Sequence, residues 1–136
     1  MLKRTTMAAI CVLGCAALTA DAVAAASAAG PLKGRTKQGR TIRLVAHGDA
    51  VQVKRFAIEL RCRDGSILVD DESGFLPTHL RQGGHLRDHQ VGKTDDVWIR
   101  GKLGGRVLRG VIRVHDHLGK VRCDSHWVHF HAKLRS

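Results

Sequence analysis

From Lys33 onward, short runs that alternate apolar with polar residues are cut by glycine-bearing turns before any of them reaches the length of a helix. That punctuation confines the chain to antiparallel β-structure. Thr41-Ile42-Arg43-Leu44-Val45 and Val51-Gln52-Val53 flank His47-Gly48-Asp49-Ala50 and predict a first hairpin. The strand from Val51 is expected to run to Cys62, where Arg63-Asp64-Gly65-Ser66 turns the chain into Ile67-Leu68-Val69. Val97 to Leu103, Gly104-Gly105 and Val107 to His115 predict a second hairpin, and Trp127 to Leu134 a last strand. Between Asp70 and Asp96, Pro77, Gly83, Gly84 and Gly92 break the pattern, and only Leu86 to Val91 reads as a short strand. The expected fold is an all-β antiparallel meander of seven or eight strands, preceded by an N-terminal signal helix. Periodicity leaves a small barrel and a two-sheet sandwich equally open.

The first residues carry a different pattern. Basic Lys3 and Arg4, an apolar run from Met7 to Leu18 and small residues around Ala20-Asp21-Ala22 and Ala24-Ala25-Ala26 have the order of a secretory signal. The apolar run is about twelve residues, short of the roughly 20 that span a bilayer as a helix. The expected organisation is a signal peptide over 1–26, a flexible tether over 27–32 and one β-domain over 33–136. The expected location is secreted or periplasmic. Val12-Leu13-Gly14-Cys15 also fits a lipobox, and lipid anchoring at Cys15 is the alternative. Removal of Cys11 and Cys15 leaves Cys62 and Cys123, which in an exported chain predict one disulfide. A redox-active pair would call for a Cys-x-x-Cys spacing, which these two lack.

Removal of residues 1–26 would leave 21 basic and 11 acidic side chains, a formal charge of +10. The cations recur at the polar positions of the expected strands, notably Arg43, Lys54, Arg61, Arg100, Lys102, Arg109 and Arg113. Side chains on a strand alternate faces, so many of these share one surface. That surface is either a solvated face or a binding face for an anionic polymer or envelope surface. The chain has three Phe, two Trp and no Tyr. Most of these rings stand where the core is expected to claim them, which counts against a face built for stacking on single strands.

Nine histidines are many for this length. His115-Asp116-His117 and His129-Phe130-His131 each put two imidazoles on one strand face. If the two strands are neighbours in matching register, His115, His117, His129 and His131 form a candidate zinc or copper site. The connecting loop leaves that register open. His79, His85 and His89 in the irregular region make a weaker set. For catalysis, Asp124-Ser125-His126 holds the residue types of a hydrolase triad, but consecutive residues on an extended chain do not converge as a triad must. Neither a phosphate-binding glycine loop nor a helical His-Glu-x-x-His occurs.

The motif order resembles a loose group of small exported bacterial proteins of unknown function. The matching pieces are Gly34-Arg35-Thr36-Lys37-Gln38-Gly39, Cys62-Arg63-Asp64-Gly65, Gly101-Lys102-Leu103 with Gly110, and Cys123-Asp124-Ser125 followed by Trp127 to Ala132. The resemblance implies an exported β-domain with one disulfide and brings no substrate, and the histidines lie outside its pattern. The expected function is thus an exported, non-catalytic binding or envelope-associated module engaging anionic polymers or surfaces. Zinc or copper binding by the histidines is one alternative, and an enzyme of another kind is the other.

Overall fold

Alternation between Thr41 and Cys62 produces strands that bury one face, as expected of period-two sequences. The computed structural model describes residues 29–135, so the expected signal segment and Cys15 lie outside the described residues. Ten strands follow one another: β1 (Ala29–Thr36), β2 (Thr41–His47), β3 (Ala50–Cys62), β4 (Ile67–Ser73), β5 (Thr78–His79), β6 (His85–Val91), β7 (Asp95–Gly104), β8 (Val107–Leu118), β9 (Val121–Asp124) and β10 (Val128–Leu134). All pairings are antiparallel. The expected hairpins at 41–53 and 97–115 are present. The chain is all-β, and the choice left open between barrel and sandwich falls to the barrel.

Strands β10, β1, β2, β3, β9 and β8 lie side by side, and β8 pairs back onto β10, so the ring closes with six strands. Strands β7 and β6 extend outward from β8, while β4 and β5 occupy the other edge of β3. Strands β9 and β10 share one edge of β8. The kink between them is set by His126, whose φ of 54° is left-handed, and by its N–H donating to Asp124 Oδ1 at 2.7 Å. Along β3, β2 pairs Ala50 to Phe56 and β9 pairs only Arg61 and Cys62. Gln38 sits in the gap between them: its Nε2 donates to the Glu59 carbonyl at 3.1 Å and its Oε1 accepts the Glu59 N–H at 2.8 Å. One amide side chain thereby stands in for a missing stretch of strand.

Inward positions from all walls form one apolar core that includes Leu32, Ile42, Leu44, Phe56, Ile58, Leu60, Ile99, Leu108, Ile112, Val114 and Phe130. Where the wall pinches, the inward residue is glycine. Gly101 faces Gly110 across the β7–β8 pair, and a Cβ on Gly110 would lie 2.2 Å from the Arg100 carbonyl and 2.9 Å from the Phe130 ring. Cys62 and Cys123 are direct cross-strand partners and form the expected disulfide, 61 residues apart in sequence. The chain-entropy model values a loop of that size at about 4 kcal/mol.

Three features differ from the sequence reading. Residues 29–32 of the expected tether belong to β1, which pairs with both β2 and β10, and Leu32 is fully buried. Strand β9 occupies what read as a loop between Leu118 and Ser125. The region from Asp70 to Asp96 is tied by side chains: Gln52 Nε2 donates to the Phe75 carbonyl at 2.7 Å, and Gln90 exchanges two hydrogen bonds with the Leu76 backbone at 3.0 and 3.1 Å.

Candidate functional site

Because register is continuous across the walls, outward residues of neighbouring strands line up in rows. One row runs His85, Lys102, Arg109, His131 and Arg35 across β6, β7, β8, β10 and β1. The next runs Arg87, Arg100, Val111 and His129. Lys37 adjoins it, donating its N–H to the His129 carbonyl at 2.7 Å. On the other side of the first row, Lys133, Lys33, Arg43 and Arg55 align across β10, β1, β2 and β3. No acidic residue occupies any position in these rows. With strands about 4.8 Å apart, the first row alone spans about 19 Å. Among the described residues, Arg87, Arg100, Lys102 and Arg109 form no ion pair, whereas Arg55 is paired with Asp71 at 2.6 Å.

The residues expected to bind polyanions therefore divide. Arg43, Arg100, Lys102 and Arg109 lie on this wall, and Lys54 is exposed at the bulge of β3 beside Arg55. Arg61 and Arg113 do not join it. Arg61 is the cross-strand partner of Asp124, and Arg113 is bound to the Asp124 carboxylate by two hydrogen bonds of 3.2 and 2.7 Å. Asp124 also meets His115 Nε2 at 2.9 Å. Burial alone would push Asp124 up. The Arg113 hydrogen bonds, the His126 N–H and the charge of His115 outweigh it and bring the carboxyl down to about 2.

All four histidines of the candidate metal site face outward, as expected, but the two pairs stand at different heights. His129 lies opposite Val111, four residues along β8 from His115, or roughly 13 Å at strand rise. His117 is farther still, opposite Arg122. His131 stands opposite Arg109, within the cationic row. Strand β9 takes the place beside His115 and His117 that β10 would need, because the kink at His126 splits the last stretch into two strands. His79 and His89 instead meet Asp49 and Asp96, at 3.4 and 3.7 Å. Among the described residues, no group of three His, Cys, Asp or Glu side chains is arranged to hold a metal ion. In the Asp124-Ser125-His126 segment, the Ser125 hydroxyl accepts the Val114 N–H at 2.8 Å and donates to the His126 carbonyl at 2.7 Å, so it fastens the kink.

As expected, most of the aromatic rings belong to the core. All three phenylalanines are in the core, but both tryptophans are on the outer face. Trp98 alternates with core residues Val97 and Ile99, and that alternation was the signal that placed it outside. The His89 ring stacks on it at 4.4 Å, nearly parallel at 9°, and His115 meets its edge at 5.1 Å. Trp127 is 38% exposed, and the Arg100 guanidinium lies 4.8 Å from its ring centre.

Acidic groups are gathered elsewhere. Inward alternation carries Asp70 and Glu72 of β4, Asp95 of β7 and Asp116 of β8 into one end of the barrel, beyond the apolar layers of Ile99 with Ile112 and Val97 with Val114. Burial pushes the Glu72 carboxyl up to about 8, aided by its neighbours Asp70 and Asp95. Burial, then repulsion from Asp70 and Asp95, raises Asp116, and its own interaction with the His117 N–H opposes the shift. Asp70 and Asp116 each keep one buried oxygen without a hydrogen-bond partner among the described residues.

Among the described residues, no helix is long and apolar enough to cross a membrane. Compared with protein-family models, curated proteins and solved structures, the chain finds no match.

Proposed function

We propose that this protein is an exported, non-catalytic binding module for anionic polymers, which it engages through the cationic wall of β6, β7, β8, β10 and β1. The observation that carries this reading is the alignment of His85, Lys102, Arg109, His131 and Arg35 in one row, beside a second row containing Arg87 and Arg100, with no carboxylate among them. Random scatter of a basic composition would leave acids between the cations. Here four of the acids gather at the barrel end and Asp124 is held by Arg113 and His115. Closely spaced unpaired cations raise the local potential and attract polyanions. The disulfide supports the exported part of the reading, since such bonds persist in oxidising compartments.

The test is binding to a labelled polyanion at stepped salt concentrations. The variant carrying Arg87→Ala, Lys102→Ala and Arg109→Ala is expected to bind at least about tenfold more weakly. Its salt dependence should be shallower by about 3 in log–log slope, one for each lost contact. A control carrying Arg61→Ala and Arg63→Ala, beside the disulfide, should retain binding. Equal losses in the two variants would sink the wall as the site.

A further inference from the structure

The wall holds every tryptophan of a chain that has no tyrosine. Trp is the side chain with the most area to gain from burial, yet the three phenylalanines fill the core while Trp98 and Trp127 stand outside among arginines and histidines. Trp98 is half-buried and Trp127 is exposed. The groups that cover them are flat and delocalised: the His89 imidazole over Trp98 and the Arg100 guanidinium over Trp127. Both covering residues are exposed and sit at the polymer-binding surface.

We propose that the polymer is a single-stranded nucleic acid, its bases stacking on Trp127 and Trp98 while its phosphates meet Arg87, Arg100, Lys102 and Arg109. This rests on the polyanion reading and narrows it. Trp98 lies on β7 and Trp127 immediately before β10, with β8 between them, so their backbones are about 10 Å apart across the sheet. Both stand level with the row next to Arg87 and Arg100, on one side of it: Trp98 is opposite Arg113, and Trp127 precedes Val128, which is opposite Ile112. A positively charged track with aromatic rings set into it is the arrangement that binds single strands, since every base has a face to stack. A duplex keeps its base faces stacked on one another, out of reach of rings on a convex wall. A sulfated glycan would use the same cations. The carboxylates nearest the rings, which would serve its hydroxyl groups, are already taken: Asp96 faces His89 at 3.7 Å and Asp124 is held by Arg113 and His115.

Because the only two tryptophans are at the site, intrinsic fluorescence reports on it directly. The experiment titrates the protein with an oligothymidine, a duplex of the same length and heparin, followed by tryptophan quenching and by anisotropy of labelled ligand. Oligothymidine is expected to quench strongly and to bind more tightly than the duplex. Trp127→Ala should weaken oligothymidine binding by about tenfold or more and leave heparin binding within about twofold. Trp127→Phe, which keeps a flat ring, should restore most of the loss. A melting curve for each variant establishes that it is folded. Equal weakening of oligothymidine and heparin by Trp127→Ala, or a preference for duplex or heparin without quenching, overturns base stacking while leaving the polyanion reading standing. Failure to bind any of the three overturns both.

Discussion

Glu72 shows how much a single inward carboxylate changes when its strand register turns it toward two others. Its pKa is raised from 4.5 to about 8, by burial first and then by Asp70 and Asp95. A carboxyl whose folded pKa lies above its unfolded value favours folding fully below the unfolded pKa, and that contribution is lost as pH rises through the folded one. Asp116 is shifted in the same direction. Asp124 has the opposite sign: lowered from 3.8 to about 2, it contributes stability above 3.8 that disappears as pH falls toward 2. The melting temperature, measured with a chelator present, should therefore be greatest near pH 4 to 5 and fall on both sides. Glu72→Gln should flatten the decline between 4.5 and 8 and leave the acid limb unchanged. A wild-type melting temperature that rises steadily from pH 5 to 8 would contradict the raised Glu72 carboxyl. In the sequence, Asp70, Asp71 and Glu72 stand where the regular pattern breaks off. Alternation turns Asp70 and Glu72 inward, but which carboxylates they meet depends on where β4 lies relative to β7 and β8.

Among the elements, the barrel depends on two features that a strand count does not contain. The first is Gln38, whose amide replaces strand pairing beside Glu59. Gln38→Ala removes a donor and an acceptor from a partly buried backbone and should cost about 1–3 kcal/mol in urea denaturation. The second is the glycine pair at 101 and 110, which lets β7 and β8 approach while Phe130 packs over them. Gly110→Ala places a methyl against the Arg100 carbonyl and the Phe130 ring and should destabilise by about 1–3 kcal/mol, as overpacking does. A null effect would mean that the wall can yield there. The strands at 41–47, 50–62, 97–104 and 107–118 were legible because each shows alternation over several residues bounded by a turn. Strand β9 was not. Its four residues are too short to show a period, and their extended form comes from pairing with β8 and β3.

For the molecule as a whole, charge is separated in space: unpaired cations cover one wall and four carboxylates share an interior end. Like charges on the wall repel, so its cations add little to stability and some oppose it. The variant carrying Arg87→Ala, Lys102→Ala and Arg109→Ala should keep or raise the melting temperature at low salt even as polyanion binding falls. A drop of several degrees would assign those residues a structural role and weaken the functional reading of the wall.

Local pattern determined the β class, the hairpins at 41–53 and 97–115, and the outward placement of the histidines, because alternation is a property of consecutive residues. Composition and spacing likewise determined that Cys62 and Cys123 were the pair to consider. Tertiary structure alone decided that the sheet closes into a barrel, that the last stretch splits at His126, and that His115 and His129 stand far apart along β8. It also decided that Arg43, Arg100, Lys102 and Arg109 share a wall while Arg113 turns to Asp124 on β9 and Arg61 lies opposite it. Each of these depends on register between strands distant in the chain. Register follows from the fit of facing side chains across the barrel, from the pinch at Gly101 and Gly110 and from the Gln38 bridge. None of these can be read from any one strand.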